Sequence, residues 1–148
     1  MDKNKQIIIG SDHAAFELKE KIKDLLTGLG YEVEDVGTHS IASVNYPDFG
    51  KKVARAVSDG TFERGILLCG TGIGMTMQAN RFKGVRAALC ADILSARLSR
   101  QHNDANILVM GGRMVGDILA FEVVREWLAT PFDGGRHLDR IRSLDEIG

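Results

Sequence analysis

Residues 67–80 read LLCGTGIGMTMQAN, and their reading decides the fold. An apolar run from Ile66 ends at Cys69, and Gly70, Gly72 and Gly74 follow at alternate positions. A strand that is apolar on every residue is buried on both faces, which is the habit of a parallel sheet covered by helices. Glycines directly after such a strand let backbone N–H groups turn inward around an anion as the next helix begins. The opening elements are therefore a buried strand, a ligand-holding loop and a helix over 73–83.

The same alternation runs outward in both directions. Ile7–Ile9 and Val33–Val36 read as strands before it, Ala87–Ala91 and Ile107–Met110 as strands after it. Between them, helical spacing carries Phe16, Leu18, Ile22, Leu25, Leu26 and Leu29 in a helix that starts at Ala14, stopped by Gly28 and Gly30. Pro47 opens a helix through Val53 and Val57 that Gly60 closes, and helices fit 93–102 and 115–129. The expected fold is α/β, a three-layer Rossmann-like arrangement of five parallel strands flanked by helices, in one domain over residues 1–148. Ligands of such sheets sit at the carboxyl ends of the strands. Three polar corners fall there: Gly10-Ser11-Asp12-His13, Cys69-Gly70-Thr71-Gly72 and Gly111-Gly112-Arg113.

Composition narrows the function. Nineteen basic residues against twenty acidic ones give a net charge of -1, without the basic excess of a nucleic-acid binder. The longest early apolar run is three isoleucines, too short for a signal peptide or membrane span. Two cysteines, Cys69 and Cys90, match neither zinc nor haem spacing nor a disulfide framework. A reduced, cytoplasmic protein is expected, with no partner in nucleic acid or membrane.

Familiar phosphate loops are excluded residue by residue. A Walker loop needs Lys and then Ser or Thr after its last glycine, where Met75 and Thr76 stand. A dinucleotide loop needs a glycine at Met75, and a cysteine phosphatase needs an arginine that this loop lacks. Cys69 reads either as core filler or as a thiol beside inward-facing amides, where thiols ionise more readily. Cys90 lies inside a strand and reads as core. Asp12 reads as an N-cap or a ligand contact, His13 as a surface imidazole or a ligand group. His102-Asn103-Asp104 is a polar helix end or an acid–base histidine with a fixed orientation. Arg136 and Arg140 share a helix face suited to gripping phosphate, or form a solvated face paired to Asp133, Asp139 or Asp145. Arg113 is a further phosphate candidate.

Together these motifs resemble the type B ribose-5-phosphate isomerases, whose superfamily includes galactose-6-phosphate and allose-6-phosphate isomerases. The resemblance runs from Ile7 to Ile147 through G-S-D-H at 10–13, Y-P-D-F at 46–49, C-G-T-G-I-G at 69–74, S-R-Q-H-N-D-A-N at 99–106 and G-G-R-H at 134–137. It implies an aldose–ketose isomerase of sugar phosphates, working through an enediolate without metal or cofactor. It makes Cys69 the base, Gly70, Gly72 and Gly74 the amide cradle for the enediolate, and Thr71 an assistant to either. His102 would help open the sugar ring, Asn103 and Asp12 would contact the sugar, and Tyr46 would line the cleft. His13, Arg113, Arg136 and Arg140 would bind phosphate. The resemblance further implies a homodimer or homotetramer with each site shared between subunits, the segments near 102 and 113 coming from the partner. Cys69 with Met75 places the chain in the branch that uses cysteine, because the other branch has glutamate at Met75. Asn45 stands where many relatives carry aspartate, and an amide exchanges no proton, so it is left outside the site. Six-carbon sugar phosphates and a non-catalytic sugar-phosphate binder are the competing readings.

Overall fold

The computed structural model describes residues 2–147. Five strands form one all-parallel sheet: β1 (Gln6–Ser11), β2 (Glu32–Asp35), β3 (Gly65–Cys69), β4 (Ala87–Leu89) and β5 (Ile107–Gly111). Six helices connect and cover them: α1 (Phe16–Gly28), α2 (Tyr46–Ser58), α3 (Ile73–Ala79), α4 (Ile93–Gln101), α5 (Asp117–Ala129) and α6 (Arg136–Ile147). The sheet order is β2-β1-β3-β5-β4. The chain thus leaves β1 toward one edge and returns to build the other side from β3, so β1 and β3 flank a topological switch point.

Period-two alternation splits the sheet's side chains between two cores. Ile7, Ile9, Ile66, Leu68, Leu108 and Met110 pack under α1, α4 and α5 with Trp127. Ile8, Leu67, Cys69, Ile107 and Val109 face α2 and α3. The central strands β3 and β5 are buried at every residue, whereas the edge strands β2 and β4 are half-exposed. Cys90 is buried in the first core, and burial pushes its thiol pKa up.

Several boundaries shift for local reasons. α1 begins at Phe16 and not at Ala14, because the Asp12 carboxylate accepts from Ala15 N and caps a single tight turn over His13–Ala15. α3 stops at Ala79, short of 83. There the Asn80 side chain leaves the helix to exchange hydrogen bonds with Ala87, donating to its oxygen at 3.0 Å and accepting from its nitrogen at 2.8 Å. β4 ends at Leu89 because Asp92 already caps α4, accepting from Ser95 N at 2.6 Å. β2 lies one residue earlier than Val33–Val36, and α5 starts at Asp117 behind Gly116.

Lys19 is fully buried and anchors the loop after β2. Its ammonium reaches Asp35 at 2.5 Å and Glu20 at 3.2 Å, and Asp35 also takes Lys23 at 2.8 Å and the Gly37 N–H at 2.9 Å. Burial alone raises the Asp35 pKa, but the hydrogen bonds from Lys19, Lys23 and Gly37 outweigh it and hold the carboxyl below its ordinary value. Asp35 therefore contributes stability that is complete above its unfolded pKa and lost as pH falls through the lower folded value. Lys19→Ala strands part of this pair, so unfolding in urea at pH 7 should show a loss of about 3 kcal/mol. The deficit should shrink in acid, below the ordinary carboxylate range, as Asp35 protonates.

Candidate active site

Cys69 ends β3 with 5% of its surface exposed. The loop that follows folds back over it, and the Gly72 N–H donates to its Sγ at 3.2 Å. Gly72 has φ +82, and a Cβ there would lie 2.5 Å from a Leu89 methyl, so only glycine fits. Thr71 Oγ1 accepts from Ile73 N at 3.2 Å, which sets the exposed hydroxyl at the mouth of the loop. The end of β5 is strapped to the same loop: Gly112 N donates to Cys69 O at 2.7 Å and Arg113 N to Gly70 O at 2.9 Å. Gly111 permits this, because a Cβ on it would sit 2.5 Å from the Thr71 carbonyl oxygen.

The neighbours of the loop come from β1, α2 and β5. The Arg113 side chain lies about 3.5 Å from where a Gly70 Cβ would stand. The Tyr46 ring, at the start of α2, packs against Gly74 so closely that a Cβ there would be 2.6 Å from it. Asp12 leaves β1 with its amide donating to Leu68 O at 3.1 Å, next to β3. His13 follows, and its Nδ1 accepts from Val44 N at 3.1 Å. That bond pins the 38–45 segment and puts the neutral ring's hydrogen on Nε2. Asn45 precedes α2 and makes no capping bond with its side chain.

A second group forms elsewhere. α4 runs back across the sheet, so His102 and Asn103 stand before β5, at the amino-terminal ends of the strands. Cys69 is level with Gly111 at the other end of β5, four residues beyond Ile107. At the usual rise per residue that strand alone separates the two groups by roughly 13 Å. His102 stacks on His137, the ring centroids 4.5 Å apart and the planes 16° from parallel. Asp133 N donates to Gln101 O at 3.0 Å, holding the 130–135 connection beside them. Partial desolvation, with His102, Arg136 and Arg140 adding to it, pushes the His137 pKa below its ordinary value. Arg136 and Arg140 are exposed on α6, and two of the acids that could neutralise that face pair with other arginines. Asp145 holds Arg86 at 3.2 Å, and Asp139 meets Arg142 at 3.9 Å. A cavity of about 500 Å³ at this amino-terminal edge is lined by Arg86, Ser99, Asn103 and Asp145, and by no residue of the Cys69 group.

The structure therefore sorts the expected residues into two groups. Asp12, His13, Tyr46, Cys69, Gly70, Thr71, Gly72, Gly74 and Arg113 gather at the carboxyl ends of the strands. His102, Asn103, Arg136 and Arg140 gather at the amino end. The segment near 113, which the resemblance assigns to the partner, packs on the Cys69 loop of its own chain, strapped there by the two backbone bonds from Gly112 and Arg113. Sequence reasoning missed Asp133 beside His102. No periodicity or spacing signals that approach, which depends on how the 130–135 connection turns back onto the end of α4.

The architecture defines an α/β protein whose candidate site lies at the carboxyl edge of a parallel sheet, beside a thiol that accepts from the Gly72 amide. Within that class the chain belongs to the ribose/galactose isomerase family, whose model matches residues 7–144. It is 46% identical over 143 residues to ribose-5-phosphate isomerase B of Escherichia coli strain K12, covering 97% of this chain and 96% of that one. A crystal structure of a ribose 5-phosphate isomerase from Thermotoga maritima superposes with a TM-score of 0.92 at 59% identity, covering 95% of this chain and 97% of the other. A ribose-5-phosphate isomerase B from Mycoplasma genitalium, solved with bound ribulose-5-phosphate, gives a TM-score of 0.92 at 40% identity, covering 96% and 95%.

Proposed function

We propose that this protein interconverts ribose 5-phosphate and ribulose 5-phosphate, and that each active site joins the Cys69 half of one chain to the His102 half of another. The division of the site residues between opposite ends of the sheet carries the second part, since a homodimer or homotetramer is the simplest way to bring them together. Apolar side chains beside the Cys69 loop offer the surface for it: Ile73 and Met77, one turn apart on α3, are 50% and 66% exposed, with Leu89 and Leu94 nearby in sequence on β4 and α4.

The chemistry follows from the groups in each half. His102 of one chain transfers protons between the ring oxygen and the anomeric hydroxyl, opening the furanose. Cys69 of the other, as thiolate, removes the C2 proton of the aldehyde form and returns it to C1, while the hydroxyl proton on O2 passes to O1 to leave the ketone at C2. The intermediate enediolate carries its negative charge on oxygen, facing the amides of residues 70–74. Thr71 stands at the mouth of the loop to hydrogen-bond the same oxygens, and Asp12 and Asn103 contact the hydroxyls. Phosphate is gripped by His13 Nε2–H and Arg113 from one side and by Arg136 and Arg140 from the other. The reaction needs a base, an anion cradle and a phosphate anchor, so no metal or redox cofactor takes part in it. Among the described residues both cysteines are free thiols, and no helix is long and apolar enough to cross a membrane. We place the protein in the reducing cytoplasm, where two such thiols stay free.

The test is kcat/KM on ribose 5-phosphate, allose 6-phosphate and galactose 6-phosphate side by side. The five-carbon substrate should lead by tenfold or more, about the effect of one extra carbon in a fitted pocket. A lead for either six-carbon phosphate would keep the chemistry and reject the assigned substrate.

A further inference from the structure

His102, Asp133 and His137 each place a ligand atom so that all three lie within 4.8 Å of one another. They come from three different places: the end of α4, the 130–135 connection and the first turn of α6. Backbone bonds hold that arrangement, Asp133 N to Gln101 O at 3.0 Å and His137 N to Gly134 O at 3.1 Å. Nothing in the isomerisation uses Asp133 or His137.

We propose that these three side chains form a zinc site, and that the ion inhibits the enzyme by occupying the imidazole of His102. The inhibitory part rests on the role of His102 in opening the sugar ring. Two imidazoles and one carboxylate are a common zinc set, leaving a fourth position for water. Metal–ligand distances near 2.0–2.1 Å set the edges of the tetrahedron at about 3.3 Å. The donors must therefore draw together by up to about 1.5 Å, which rotation of partly exposed side chains supplies. Binding unstacks the two rings, because each nitrogen must aim its in-plane lone pair at the ion. Arg136 and Arg140 lie near enough to act on His137, so a bare dication approaches against their charge. That disfavours magnesium and calcium, which depend on several oxygen ligands, and favours an ion that prefers imidazole nitrogen. A histidine nitrogen donating its lone pair to zinc neither accepts nor delivers a proton, so ring opening loses its acid–base group.

The experiment titrates zinc chloride into metal-free, full-length Cys69→Ala protein by calorimetry, so that the reactive thiol cannot act as a ligand. One zinc per chain with Kd on the order of micromolar is expected. His137→Gln and Asp133→Asn, each in that background, should weaken it tenfold or more. In parallel, zinc should inhibit turnover of ribose 5-phosphate by the protein with Cys69 intact. Asp133→Asn should leave metal-free turnover unchanged and raise the inhibiting zinc concentration tenfold or more. No saturable binding in Cys69→Ala, or binding indifferent to both substitutions, would overturn the site. Turnover undiminished at saturating zinc would overturn the inhibition. Failure of the functional reading shows differently, as absent turnover before any zinc is added, with calorimetry still deciding the site.

Discussion

Cys69→Ala is expected to lower kcat/KM on ribose 5-phosphate by roughly 10³-fold or more while the protein stays folded, the range a positioned general base contributes. The thiol is the one titratable group inside the amide loop, so no neighbour takes over removal of the C2 proton. The stability cost is small, because a sulfur is removed from a strand end whose backbone pairing to β5 stays intact, about 1 kcal/mol. The Gly72 N–H does lose its acceptor, which could loosen the loop by itself. Cys69→Ser separates the two effects: its hydroxyl still accepts from Gly72 and is a far weaker base at neutral pH. Both variants should melt within a few degrees of the parent protein, and both should be nearly inactive. A Cys69→Ser protein with near-normal turnover would make the sulfur a structural acceptor only.

Much of this was legible because local rules carry it. β1, β3 and β5 announce themselves as apolar runs, and a strand that must be buried on both faces can only be central in a helix-covered sheet. The corners after β1, β3 and β5 were readable as ligand corners for the same reason, and two of them do flank the switch point between β1 and β3. Strand order was not readable. β5 inserts between β3 and β4, and nothing in the run Ile107–Met110 says which two strands it lies between. Helix ends failed where a side chain competes with the backbone, as Asn80 does by pairing with Ala87 and Asp12 by capping a tight turn before α1. The packing of Arg113 on the loop of its own chain was not legible because it depends on Gly111, whose missing Cβ lets the Thr71 carbonyl close over the end of β5. The meeting of His102 with Asp133 and His137 joins it to positions 31 and 35 residues further on through an irregular connection, and no sequence pattern encodes it.

The proposed pairing of half-sites is measured directly by complementation. Cys69→Ala damages the carboxyl-end half, and His102→Ala/Arg140→Ala damages the amino-end half, so neither variant alone assembles an intact site. Co-expressed with different affinity tags and purified through both, a mixed dimer holds one site with both defects and one with none. It should turn over ribose 5-phosphate at about half the parent rate per dimer, while each variant alone stays nearly inactive. A doubly tagged complex as inactive as its parents would mean that each chain works from its own residues, and the two-chain active site would be wrong.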